Sequence, residues 1–263
     1  MGKTRKEWSR KYFLSGSMLH NTKGLVLRSV KYGETSLVVS IFTELFGVQS
    51  YMVNGVRSSS PKNPYRGNFF QPATLLDLVV YHNERQTLQR IKEFRWSFIY
   101  HDIYRNVPKN TVSLFIIEVL QKCLKQPEPN PELFAFVEDV LMHIDQGSTS
   151  VTANMPLYFL LHLAHFFGFM IQDGYSDSRH VLDLQEGRFT DSRPDHPYFL
   201  EGKMSEISSQ LLKTRQPGEL EQLHLSRDQR KILIDAFITF YVFHQPEFGQ
   251  MRSLPVLHAL YEG

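Results

Sequence analysis

Cysteine is almost absent from this chain: Cys123 is the only one in 263 residues. An intrachain disulfide and a cysteine-based zinc site are therefore excluded. Long apolar runs are missing too. The most apolar stretch, MPLYFLLHLAHFFGFMI from Met155 to Ile171, is interrupted by His162, His165 and Gly168. It falls short of the roughly 18 uninterrupted apolar residues of a membrane span and reads as a buried core helix. No apolar centre of a secretory signal stands near the N-terminus. The patterns G-x-x-x-x-G-K-[ST], G-x-G-x-x-G and G-x-S-x-G do not occur. Nucleotide hydrolysis and esterase chemistry thus lack their usual phosphate cradle or nucleophile turn. A large net charge is also lacking, at +2 with 21% charged residues and 42% hydrophobic ones. That is a globular composition; the single cysteine and the missing span and signal fit a reducing cytoplasm, and no membrane contact and no cofactor are expected.

The small net charge conceals a split. Residues 1–95 hold 15 Lys/Arg and 6 Asp/Glu, whereas the remainder holds 14 and 21. A basic first part suits a polyanionic partner, and the rest suits a different task. Residues 1–17, MGKTRKEWSRKYFLSGS, carry five of those cations and are followed by a second methionine, Met18. They read either as a flexible basic arm or as an extension ahead of the natural start.

From Lys23 the pattern is that of strands. Leu25–Leu27, Ser36–Phe42, Val48–Val53, Ala73–Tyr81 and Thr87–Trp96 are predicted strands. Gly33 and Gly47 supply turns, and Pro61 and Pro64 keep the loop from Ser58 to Asn68 out of any ladder. Five short strands in this length predict a small closed barrel or a sandwich. Beyond about residue 105 the period becomes helical. Helices are predicted over Thr111–Lys125, from Pro131 with Asn130 as its cap, from Pro156 to near Gly168, and after the capping-box residues Ser226 and Gln229. Residues 172–202 read as irregular, apart from a hairpin turning at Glu186-Gly187.

Histidine offers the one route to an enzyme. His101-Asp102 forms an HD dyad, and His162 and His165 lie three apart on a predicted helix. A metal-dependent phosphohydrolase would need more ligands converging on them. Nucleic-acid binding has broader support. Lys23, Arg28, Lys31, Arg57, Lys62, Arg66, Arg85, Arg90, Lys92 and Arg95 punctuate the strands, with Tyr32, Tyr51, Tyr65, Phe69 and Phe70 between them. Cations neutralise phosphates and aromatic faces stack on bases, the two needs of a sequence-tolerant single-strand binder. A protein-interaction scaffold that binds no nucleic acid is the other open reading.

Residue order adds to composition. Val26-Leu27-Arg28, Glu34-Thr35-Ser36-Leu37, Phe42-Thr43-Glu44-Leu45-Phe46-Gly47, Gly55-Val56-Arg57 and Gln71-Pro72 occur in that sequence. Together they resemble the N-terminal domain of the bacterial DNA repair protein RecO family, over about residues 22–95. The resemblance implies an α+β chain: a five-stranded OB-fold β-barrel at 18–98, then an α-helical domain at 99–263. It implies a non-enzymatic recombination mediator, nucleoid-associated. Relatives bind single- and double-stranded DNA and anneal complementary strands. With RecR they load RecA onto DNA coated by single-stranded-DNA-binding protein (SSB). Arg28, Lys31, Arg57, Lys62 and Arg66 would then meet DNA phosphates, and Lys122 and Lys125 would meet the acidic C-terminal tail of SSB. Many relatives carry a four-cysteine zinc module. The segment 172–202 stands in its place without ligands, so zinc is not carried over.

Overall fold

A computed structural model describes residues 18–56 and 66–262, without the side chains of Arg66 and Glu262. The chain divides into two compact units. The first holds residues up to 99 together with 126–134, and the second holds 100–125 and everything from 135 onward.

Five strands build the first unit: β1 (Met18–Tyr32), β2 (Ser36–Thr43), β3 (Gly47–Val53), β4 (Leu75–His82) and β5 (Leu88–Trp96). They close into a barrel in the order β1-β2-β3-β5-β4. All neighbours are antiparallel except β3 and β5, which run parallel. This is the OB-fold architecture. Strand β1 is far longer than Leu25–Leu27, because its first half pairs with β4 and its second half with β2. Alternate residues fill the barrel: Val26, Leu37, Val39, Ile41, Tyr51, Val53, Leu76, Leu78 and Val80. Each such burial contributes on the order of 1.5–3 kcal/mol. A 3₁₀ turn at Arg66–Phe70 inserts Phe70 into the same core.

Gly24 lies where an added Cβ would fall 2.6 Å from Leu78 Cδ1 and 2.7 Å from Ile41 Cγ2, so a side chain there would displace core residues. Beyond it, the register with β2 slips between Val26 and Arg28, a β-bulge that inserts Leu27. The bulge is held from the β4 side: Val26 N donates to Thr74 O at 2.9 Å, and Ala73 N donates to Val26 O at 2.9 Å.

The second unit is helical: α1 (Val107–Cys123), α2 (Pro131–Gln146, whose first turn belongs to the barrel unit), α3 (Thr149–His165), α4 (Gly202–Lys213), α5 (Arg227–His244) and α6 (Ser253–Glu262). Asn130 caps α2 through Leu133 N, at 2.9 Å. Ser226 and Gln229 form the full capping box of α5. Pro156 does not open a helix. It sits inside α3, which starts at Thr149 because the Ser148 hydroxyl accepts Val151 N at 3.3 Å. Segment 172–202 is not wholly irregular. It carries β6 (Val181–Asp183), β7 (Arg188–Thr190) and β8 (Phe199–Leu200) in the order β7-β6-β8, with Gly187 at φ 64° in the hairpin. Asp183 fastens this sheet, accepting Gln185 N at 2.8 Å and lying 3.3 Å from His196 Nε2.

Candidate nucleic-acid interface

Cross-strand partners share a face of a sheet, so the barrel's register defines its outer wall. Leu37, Val39 and Ile41 point inward from β2. Their neighbours Ser36, Val38 and Ser40 therefore point outward. One outward row runs Arg28–Ser40–Ser50–Leu88, and the next runs Val30–Val38–Met52–Arg90. Tyr32, opposite Ser36, extends the wall. Arg28 is exposed, Val30 is 45% exposed and Tyr32 is 59% exposed. None of the residues in these rows is a carboxylate.

The bulge decides this placement. Plain alternation from the inward Val26 would turn Arg28 inward and Lys31 outward. With Leu27 inserted, Arg28 pairs with Ser40 on the outer wall and Lys31 pairs with Leu37 on the inner side. Lys31 is nevertheless exposed. Arg28 and Lys31 thus leave β1 on opposite sides.

The turn after β4 is rigid. Gln89 is 2% exposed and clamps it: its Oε1 accepts Asn83 N at 3.0 Å, and its Nε2 donates to Asn83 O at 2.9 Å and Gln86 O at 2.6 Å. Arg85 stands exposed on that turn, with its own N–H bonded to Asn83 Oδ1 at 3.0 Å. The wall made by the start of β1 with β4 and β5 differs in charge. A cavity of about 570 Å³ there is lined by Lys23 and Arg95 but also by Glu44, Asp77 and Glu93. Arg95 Nε already pairs with Asp77 Oδ2 at 3.0 Å. Such a balanced surface offers a DNA backbone no net attraction.

Of the residues proposed for DNA contact, Arg57 and Lys62 lie outside the described residues, as does the side chain of Arg66. Tyr51 and Phe70 are core residues, at 0% and 1% exposure, and take no part in stacking. Tyr65 also lies outside the described residues. Phe69 stacks on Trp96 at 3.8 Å between ring centroids, leaving Trp96 42% exposed. Trp96 is an exposed aromatic that strand patterning placed only as a strand end.

In the helical unit the backbone of the HD dyad is held by Asp145 and its carboxylate is paired. Asp145, 1% exposed, accepts the backbone N–H groups of His101, Asp102 and Ile103 at 2.9, 2.8 and 3.0 Å. Lys109 Nζ donates to Asp102 Oδ2 at 2.9 Å and holds that carboxyl below its usual range. His162 lies against Tyr158 at 4.2 Å between ring centroids, and His165 contacts Met170 Sδ at 3.3 Å. Among the described residues no three His, Cys, Asp or Glu side chains are placed to hold a metal. Lys122 Nζ donates to Phe248 O at 2.7 Å, and Lys125 lies 3.7 Å from Glu247. Burial pushes the Cys123 thiol up to about 12, which leaves it unreactive. Among the described residues no helix is long and apolar enough to cross a membrane.

Comparison with known proteins agrees with this architecture. The model of the Recombination protein O N-terminal domain matches residues 18–100, and that of the C-terminal domain matches residues 105–172. The chain is 30% identical over 244 residues to the DNA repair protein RecO of Flavobacterium psychrophilum, covering 91% of this chain and 98% of that one. The chain belongs to the RecO family. It is also 29% identical to the DNA repair protein RecO of Christiangramia forsetii, covering 93% of this chain and all of that protein. The RecO of Bacteroides fragilis is 28% identical over the same shares. The RecO family is one of DNA repair and recombination, which fits the OB barrel at residues 18–96.

Proposed function

We propose that this RecO-family chain is a recombination mediator rather than an enzyme. It binds single- and double-stranded DNA through the outer wall of β1, β2, β3 and β5 and anneals complementary strands. With RecR it helps load RecA onto DNA coated by SSB, in the cytoplasm and at the nucleoid. One observation carries the DNA-binding part: an outward wall with Arg28 and Tyr32 and no carboxylate in its cross-strand rows, against a charge-balanced wall elsewhere on the barrel. Annealing needs phosphate neutralisation without sequence readout, and such a wall provides it. Lys31, on the other side of β1, and Arg57, Lys62 and Arg66 are proposed as further phosphate contacts. On the helical unit, Lys122 and Lys125 would meet the tail of SSB; Lys122 Nζ also donates to Phe248 O, and Lys125 lies 3.7 Å from Glu247.

The test combines Arg28, Lys31, Arg57, Lys62 and Arg66 to alanine in one variant. Binding of single strands should weaken for all sequences alike, and the slope of log affinity against log salt should fall by about 0.7 per lost phosphate contact. Tyr32→Ala should cost about 1–3 kcal/mol if a base stacks there. Annealing of complementary oligonucleotides, with and without SSB, should slow in the five-residue variant. Wild-type affinity and slope in a folded variant would overturn the reading.

A further inference from the structure

The helical unit holds a second feature that the barrel reading does not use. A cavity of about 230 Å³ is lined by the starts of three long helices: the cap Asn106 with Pro108 and Lys109 of α1, Thr149, Thr152 and Ala153 of α3, and Arg227 and Arg230 of α5. Leu260 and Tyr261 of α6 complete it. A helix start carries a partial positive charge, from the macrodipole and from N–H groups without helical partners. Three such starts face one space.

Three further observations concern the side chains there. The Thr152 hydroxyl is buried, in a residue 3% exposed, and has no hydrogen-bond partner. A buried hydroxyl left unpaired is costly and calls for explanation. Arg230 is half-buried and has no carboxylate partner among the described residues. Its Nε donates to the amide oxygen Asn154 Oδ1 at 2.8 Å, and its guanidinium lies 6.0 Å from the Tyr261 ring centroid. That leaves most of its five N–H donors unused. Burial lowers the Arg230 pKa, and the Tyr261 phenol opposes this only in part. Arg227 is exposed and has no ion pair among the described residues. The Lys109 amine, by contrast, is consumed by Asp102 Oδ2 and by Asp145 O, so it adds its stem and not a free charge.

We propose that this cavity binds a phosphate group. Donors reach it from two helices, the Thr152 hydroxyl of α3 and the Arg227 and Arg230 guanidiniums of α5, which suits a tetrahedral oxyanion whose oxygens diverge better than a planar carboxylate. The volume is smaller than the roughly 300 Å³ lower end of drug-sized ligand pockets, so it suits a single phosphate and not a whole nucleotide. The phosphate could be free or could end a DNA strand. This assignment rests on the helical unit alone and is independent of the barrel reading.

Calorimetric titration of the full chain with inorganic phosphate, at fixed ionic strength, tests it. Saturable binding is expected, weakened at least tenfold in Arg227→Gln/Arg230→Gln and clearly weakened in Thr152→Val, with Arg28→Ala unaffected. Thr152→Val only removes an unpaired hydroxyl, so it should fold normally. Unsaturable heats, equal binding by the double variant and wild type, or tighter binding of acetate than of phosphate would each overturn the proposal. A 5′-phosphorylated oligonucleotide that displaces phosphate better than its 5′-hydroxyl counterpart assigns the site to strand ends. Equal displacement by the two assigns it to free phosphate.

Discussion

Single residues carry both the clearest pH effect and the least legible part of the interface. His162 lies within α3, and burial, the largest influence, lowers its pKa below the ordinary value of 6.5. The folded state therefore binds fewer protons than the unfolded state below that value, and stability falls as pH drops from about 6.5 through the lowered pKa. His82 in the barrel has the same sign, lowered first by burial and then by His20. His162→Gln keeps a polar side chain of similar reach that does not titrate. The loss of thermal midpoint between about pH 7.5 and about pH 5.5 should be smaller in this variant than in wild type. Equal losses would mean that His162 titrates normally. At the interface, the sequence identified Arg28 as a basic strand residue but not the wall it occupies. That depends on Leu27 being inserted as a bulge, which is fixed by pairing with Thr74 and Ala73 far along the chain. Residue type was local information, and facing was not.

Elements were legible where a local cap or turn dictates them. Asn130, Ser226 with Gln229, and the Glu186-Gly187 hairpin all stand where the sequence places them. Helix α4 was not anticipated: Glu201 gives it no side-chain cap, and Ser205, Ser208 and Ser209 fill buried positions where apolar residues would have marked the face. Pro156 misled because proline is common at a helix start, yet here the Ser148 cap lies eight residues earlier. Turns make a sharper test. Gly33 and Gly47 both have positive φ, 59° and 60°. A Cβ on Gly33 would meet nothing within 4 Å, whereas one on Gly47 would fall 2.3 Å from Glu128 O. Gly33→Ala should cost about 1–2 kcal/mol, the left-handed penalty alone. Gly47→Ala should cost clearly more in the same denaturant titration, because a backbone carbonyl must move as well. Equal costs would show that the segment around Glu128 yields freely.

For the whole molecule, the charge split and the change of period from strand to helix made a basic barrel followed by helices readable. The course of the chain between them was not readable. Residues 126–134 return to the barrel unit after α1 has been built into the other. A PEPNPE stretch reads as a loop before a helix, and nothing local reveals what its far end covers. Phe134, 2% exposed, lies 5.5 Å from the ring of Phe42, which is itself fully buried, and Glu128 closes over Gly47. A fragment ending at residue 99 keeps every barrel strand but loses this cover. It should unfold at lower temperature than the barrel does within the full chain, and it should bind a hydrophobic dye through the uncovered Phe42. Phe134→Ala in the full chain separates cover from truncation. Removing a buried phenylalanine costs about 3–5 kcal/mol, and amide exchange should rise in β2 and β3 more than in α5. A fragment as stable as the intact barrel, or exchange that rises only in the helices, would show that the barrel is complete without residues 126–134.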